Sequence, residues 1–259
     1  MIPYFELHFF HIGNLIIQIW GVFVALGIIV ATIFFLKLVK EYCLSKEVTT
    51  DLIFWLLLGG IIGSRIFFVL FYEPAYFLIN PLVALEIWNG GASSVGGLVG
   101  AFMGGLLFIK KRGFSFAEIL PYFDLASISL WLGWGIGRLG CFLIHDHPGK
   151  LSDFFLAVNF PNGARHDLGF YDALLAFVIF IGYYIYRKKL LNIKIGFVFY
   201  SSFAIYGLVR FWLDFLRARD LVNADARYFS FTPAQWGILL YFLVLGGFWW
   251  WKRKIKVIA

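Results

Sequence analysis

Residues 14–36 read NLIIQIWGVFVALGIIVATIFFL, a run without a single charge that stops at Lys37 and Lys40. A stretch of about 20 apolar residues is what an α-helix needs to cross a hydrocarbon layer roughly 30 Å thick. Working outward from it, similar runs recur at 52–72, 94–109, 119–144, 170–186, 195–216 and 233–251. Hydrophobic residues fill 61% of the 259 positions and charged ones 14%. Soluble domains average about 45–50% and about 25%. The ordinary use of that surplus is contact with lipid. The runs therefore predict an all-α membrane protein of about seven transmembrane helices, organised as a single polytopic domain over 1–259. The third run carries Gly96, Gly97, Gly100, Gly104 and Gly105, and small residues let helix backbones approach closely.

The amino-terminal residues Met1 to His8 have no basic region, and the apolar stretch that follows lacks a cleavage-like end. They read as the lead-in to a retained first helix rather than as a signal peptide. Cys43 and Cys141 are the only cysteines. They lie far apart and give neither a disulfide framework nor a CxxC metal pattern.

Basic residues set the topology. Fourteen of the 22 lysines and arginines fall into four clusters, at 37–46, 110–112, 187–194 and 252–256. The alternate connections hold only Lys150, Arg165, Arg217, Arg219 and Arg227. The excess of positive charge on cytoplasmic loops then places the N-terminus outside and the C-terminus in the cytoplasm. The net charge of +7 reports this topology and attraction to anionic membrane lipid. No nucleic acid partner is needed to explain it. All five histidines, His8, His11, His145, His147 and His166, fall on the outer side, so any chemistry faces the outer leaflet.

Three arginines remain inside the runs: Arg65, Arg138 and Arg210. Each sits about two-thirds of the way along an outward-running helix, about 10 Å below the outer boundary at 1.5 Å per residue. Buried guanidinium groups face a cavity or a partner. Three at one depth repel one another unless an anion lies among them. A phospholipid phosphate is the simplest anion there, and a guanidinium matches it with two parallel hydrogen bonds. Arg210, Asp214 and Arg217 share one helical face, which reads equally as a structural ion-pair ladder. Arg65, beside Gly63 and Ser64, also reads as a tie between helices.

Around Arg138 the chain runs Gly137-Arg138-Leu139-Gly140-Cys141-Phe142-Leu143-Ile144-His145-Asp146-His147-Pro148-Gly149. This segment resembles the G-R-x-G-N-F-x-N-x-E-x-x-G signature of the prolipoprotein diacylglyceryl transferase family. Four more blocks follow the family's order. They are Gly63-Ser64-Arg65 with Val69 to Tyr72, Trp88-Asn89-Gly90-Gly91 with Gly96-Gly97-Leu98, Arg165-His166 with Tyr171, and Tyr206-Gly207 with Arg210, Asp214, Phe215 and Arg217. The resemblance implies a multi-pass bacterial inner-membrane enzyme. Such enzymes move diacylglyceryl from phosphatidylglycerol to the lipobox cysteine thiol of a prolipoprotein, releasing glycerol phosphate and leaving a thioether. No metal and no organic cofactor is implied. Carried onto this chain, Arg138 and Arg210 hold the phosphate and offset charge on the leaving group. Asp146 stands at the family's glutamate and orients Arg138 or the glycerol hydroxyls. Arg65, Asn89, Asp214, Arg217 and His166 complete the expected substrate-binding set.

The departures from the family pattern bear on mechanism. The family's usual histidine before Gly-Gly is Val95, the signature asparagines are Cys141 and Ile144, and a first-helix tyrosine is Trp20. Valine accepts no proton. His145 and His147, flanking Asp146, are the relocated candidates for a general base, an imidazole being suited to that role near neutrality. Their bland reading is as wet interfacial side chains, and a His-Asp-His zinc site lacks matching ligands elsewhere in the sequence. Cys141 reads as a small packing residue. Val95 also motivates a second functional reading, a catalytically impaired phospholipid-binding relative or scaffold. A transporter is disfavoured, because broken-helix signals are few and no acidic relay crosses the membrane.

Overall fold

The computed structural model describes the chain except residues 14, 87–89, 222–226 and 259, together with the side chains of 12, 15, 94 and 248–258. Among the described residues the chain is mostly helical: α1 (Ile19–Glu41), α2 (Lys46–Phe71), α3 (Pro74–Ile79), α4 (Ser94–Arg112), α5 (Phe116–Ile144), α6 (Leu168–Ile185), α7 (Arg187–Leu191), α8 (Phe197–Leu213) and α9 (Pro233–Ile258). Each of the seven apolar runs is largely helical. Among the described residues four helices, α1, α2, α5 and α6, are long and apolar enough to cross a membrane.

The first run departs from expectation at its start. Leu15–Gln18 is a β-strand, β3, paired antiparallel with β2 (Phe9–Ile12), and the helix begins only at Ile19. Adjacent isoleucines favour extended backbone, and Gly13 at φ +60° supplies the turn.

A small sheet adds to the helical architecture that the runs predict. Its strands are β1 (Ile2–Pro3), β4 (Pro148–Leu151), β5 (Val158–Phe160) and β6 (Gly163–Asp167), in the order β1-β5-β6-β4. These strands are too short for a periodic signal to stand out in the sequence.

Two compact units divide the chain. In the unit from Leu36 to Phe123, α2 and α4 pack backbone to backbone. A Cβ at Gly100 would collide with the Gly59 carbonyl, and one at Gly63 with Gly96 and Gly100. The glycines of the third run thus serve the close approach that their size permits. Ser93 Oγ accepts from the Gly96 amide at 3.2 Å to start α4, and Gly113 at φ +69° ends it.

The other unit comprises Met1–Phe35 and Asp124–Ala259, and three side-chain caps fix helix starts within it. Asp167 accepts from the Phe170 amide at 2.9 Å to begin α6. Asp124, on α5, accepts from the Gly196 and Phe199 amides at 2.7 and 2.8 Å to begin α8. Thr232 and Gln235 form a reciprocal capping box at the head of α9, with bonds of 2.9 and 3.2 Å. These caps set the registers of α6, α8 and α9, and so set which of their side chains meet.

Candidate active site

Arg138 on α5 and Arg210 on α8 converge. Arg138 Nε lies 3.3 Å and Arg210 Nη1 3.2 Å from the same oxygen, Oδ2 of Asp172 on α6. Asp172 is fully buried, and the two arginine side chains are 17% and 6% exposed. The anion between the arginines is thus supplied in part by the protein. Asp172 escaped the sequence reading because it sits among apolar residues in the fifth run and the arginines drew attention to an external anion. Buried cations need buried anions, and the only aspartate inside that run was a signal available from the start.

These contacts are long and share one oxygen, unlike the parallel fork of a saturated arginine–carboxylate pair. Among the described residues, no hydrogen-bond donor with good geometry reaches either carboxylate oxygen of Asp172. The pairing is therefore loose enough to be exchanged for a better one. From Arg210 the charges continue: Nη2 lies 3.0 Å from Asp214 Oδ1, and Arg217 Nε donates to the same oxygen at 2.7 Å. Thr232 Oγ1 donates to the other Asp214 oxygen. Asp214 is fully buried, so the ladder is real and doubles as the support that aims Arg210. Three guanidiniums face two carboxylates here, an excess of one positive charge. Trp134 lies under Arg138, 5.0 Å from ring centroid to guanidinium carbon, and its indole donates to Tyr206 at 3.2 Å.

At the end of α5 the chain turns back over the helix. His145 takes φ +49°, and the Asp146 amide donates to the Cys141 carbonyl at 3.4 Å. Cys141, Asp146 and His147 are thereby gathered beside Arg138. Arg138 Nη1 lies 3.7 Å from Cys141 Sγ, and His147 Nε2 lies 3.7 Å from Asp146 Oδ2. Burial pushes the Asp146 carboxyl up to about 6, with Arg138 opposing that rise and Asp167 adding to it. Burial, followed by the charges of Arg138, Arg217 and Arg210, pushes the His147 ring down to about 3. Both effects favour the neutral ring.

His145 has a different job from the one its spacing suggests. Its Nε2 donates to the Phe5 carbonyl at 2.7 Å, and its Nδ1 lies 2.7 Å from Asp167 Oδ2. Both ring nitrogens are engaged in the packed interior, so His145 is not available as a general base. It locks the amino-terminal segment to the carboxylate that caps α6. His166 Nδ1 bonds the Tyr171 hydroxyl at 2.8 Å, and burial, then Lys150, lowers its basicity. Arg165 meets Asp220 with both Nη atoms and the Gly149 carbonyl at 3.1 Å, clamping the segment after α8 to the sheet.

In the other unit, Arg65 also departs from its expected role in holding substrate. Its Nε donates to the Ala84 carbonyl at 2.8 Å, its Nη1 to Gly90 and Gly91 at 2.5 and 2.9 Å, and its Nη2 to Val83 and Glu86 at 2.8 and 3.2 Å. A guanidinium has five N–H groups, and all five meet backbone carbonyls. Asn89 lies outside the described residues, and Val95 is 60% exposed.

The family model described as prolipoprotein diacylglyceryl transferase matches residues 8–251. The phosphatidylglycerol–prolipoprotein diacylglyceryl transferase of Brucella anthropi is 32% identical over 227 residues, covering 82% of this chain and 79% of that relative. The protein of the same name from Geobacter sulfurreducens is 30% identical over 227 residues, covering 84% of each chain. That of Brucella canis is 32% identical over 227 residues, with coverage of 82% and 79%.

Proposed function

The chain belongs to the prolipoprotein diacylglyceryl transferase family, and we propose that it moves the diacylglyceryl group of phosphatidylglycerol onto the lipobox cysteine thiol of a prolipoprotein. In this reading it spans the bacterial inner membrane seven times, N-terminus outside, and works in the outer leaflet. The observation that carries the proposal is the meeting of Arg138 and Arg210 over the single buried carboxylate of Asp172. A phosphodiester entering this cluster trades two long contacts for shorter, paired hydrogen bonds to each guanidinium.

The thiol sulfur attacks the glyceryl carbon that bears the phosphate ester. The C–S bond forms as the thiol gives up its proton to water, the C–O bond breaks, and its electron pair leaves on glycerol phosphate. The leaving group gains one negative charge over the diester. Arg138 and Arg210 are placed to stabilise that added charge, and an aimed donor of this kind is worth about 10²–10³ in rate. Asp214 and Arg217 hold Arg210 in position. Asp146, a third of its side chain reaching solvent, orients Arg138 or the glycerol hydroxyls.

The test is purified protein with phosphatidylglycerol and a lipobox peptide, followed by mass spectrometry of the peptide and release of glycerol phosphate. A peptide heavier by one diacylglyceryl group, formed in step with glycerol phosphate, is the expected result. Phosphatidylglycerol binding without any peptide product overturns the reading in favour of a phospholipid-binding scaffold.

A further inference from the structure

We propose that Asp172 sets the preference of the arginine cluster for a singly charged phosphodiester over a doubly charged phosphomonoester, and so expels glycerol phosphate after each transfer. The inference rests on the transferase reading and adds the step that follows the chemistry.

The charge on the bound phosphate changes during the reaction. The phosphodiester of phosphatidylglycerol carries one negative charge. Once the C–O bond has broken and the thiol proton has gone to water, glycerol phosphate carries two, since the second pKa of a phosphate monoester is about 6. Guanidiniums by themselves hold a dianion more tightly than a monoanion. Two arginines without a counter-charge therefore trap the product.

The two carboxylates of the cluster differ in the way that matters for release. Asp214 is committed: Thr232 and Arg217 donate to its two oxygens, and Arg210 Nη2 lies 3.0 Å away. Asp172 is not. Its Oδ2 lies 3.3 Å from Arg138 Nε and 3.2 Å from Arg210 Nη1. Among the described residues, neither its oxygens nor Arg210 Nη1 make a hydrogen bond of good geometry. Asp172 is thus held by charge, and by the two arginines that the phosphate uses. It lies in the opening turns of α6, which Asp167 caps, so the helix start keeps it beside them. A buried carboxylate depends on its cations, and every anion that enters the cluster competes with Asp172 for them.

That competition scales with the charge of the ligand. Across a guanidinium, a distance of about 7 Å, one unit of negative charge facing a carboxylate weakens binding roughly 50-fold at an effective dielectric constant near 20. The diester meets this repulsion once and the monoester twice. Asp172 thereby weakens both ligands, and the product far more than the substrate. The buried carboxylate that keeps Arg138 and Arg210 apart from each other's charge also keeps them from holding what they have made.

The experiment uses the whole protein in detergent at about pH 8, where glycerol phosphate is a dianion and which lies above the Asp146 value of about 6. Calorimetry compares glycerol phosphate with glycerophosphoglycerol, the diester left when phosphatidylglycerol loses its acyl chains. Wild-type protein should prefer the diester. Asp172→Asn should tighten both, glycerol phosphate about tenfold or more beyond the diester, whereas Asp172→Glu should keep the wild-type order. In turnover, Asp172→Asn should give a fast first transfer of about one peptide per chain and then a slower steady rate. Its kcat and its KM for phosphatidylglycerol should fall together, whereas a merely structural loss slows the first transfer and raises KM. An unchanged ratio of the two affinities in Asp172→Asn, or the absence of a burst, overturns the role of Asp172 and leaves the transferase reading standing. Where Asp172→Asn yields no folded protein, the wild type decides, and tighter binding of glycerol phosphate than of the diester overturns the proposal. Protein that separates the two anions as expected yet never lipidates the peptide overturns the transferase reading alone.

Discussion

Arg65 and the pair Arg138–Arg210 occupy comparable positions in their helices and end in opposite situations. Around Arg65 all five donors meet carbonyls of residues 83–91, and the side chain fastens a loop. Around Arg138 and Arg210 the partner is a carboxylate shared at 3.2–3.3 Å, with positive charge left over. A guanidinium saturated by backbone oxygen has no capacity for a ligand and contributes rigidity. Guanidiniums that share an anion are held in place yet keep donors for another. Position along an apolar run, the property all three share in sequence, does not separate these cases. The number and kind of acceptors around each side chain does.

The largest effect should come from removing the shared anion. Asp172→Asn keeps the shape and deletes the charge that holds two guanidiniums in a buried site. Breaking such a pair costs about 3–5 kcal/mol. The thermal midpoint should fall accordingly and recover with phosphatidylglycerol more steeply than that of the wild type, since lipid phosphate takes over the missing charge. Phosphatidylcholine serves as the control for bulk lipid. Equal responses of variant and wild type to phosphatidylglycerol would show that the arginines do not face the lipid phosphate.

The next effect separates the two regions directly. Arg138→Ala should lower turnover about 10²–10³-fold while a folded, lipid-containing protein is still recovered. Arg65→Ala should do the reverse, leaving turnover per folded molecule close to the wild type and lowering stability, because it strands the carbonyls that the guanidinium satisfied. Measuring rate and thermal midpoint on both variants decides the matter. An Arg65→Ala protein that is fully folded and inactive would erase the distinction.

Much of this was legible in the sequence, and the gaps have physical causes. Apolar length announces helices well, because every backbone group in lipid must be satisfied within its own segment. The placement of α1, α2, α5 and α6 follows directly from it. The convergence of Arg138 and Arg210 followed from charge and depth. Asp172 was missed because a carboxylate in an apolar run is visible only to someone balancing charge. The Cys141–Asp146–His147 group was missed because it depends on the left-handed turn at His145, which no spacing rule encodes. For Arg65 the two readings, substrate holder and structural tie, could not be separated, since backbone carbonyls, present at every residue, leave no mark in the sequence when they form a cradle.

The smallest effect tests the reassignment of His145. Its ring joins the Phe5 carbonyl to Asp167, and Asp167 in turn caps α6, the helix that carries Asp172. Asparagine tolerates the positive φ at this position but is too short to span both partners. His145→Asn should therefore cost about 1–3 kcal/mol, the usual consequence of leaving buried polar groups unpaired. The pH dependence of turnover should keep its shape, because the ring exchanges no proton with substrate. A base acting through His145 would behave differently: its loss would remove the limb of the profile that reports its titration, with stability little changed. The pH–rate profile and the thermal midpoint, read on the same preparation, separate a lock from a base.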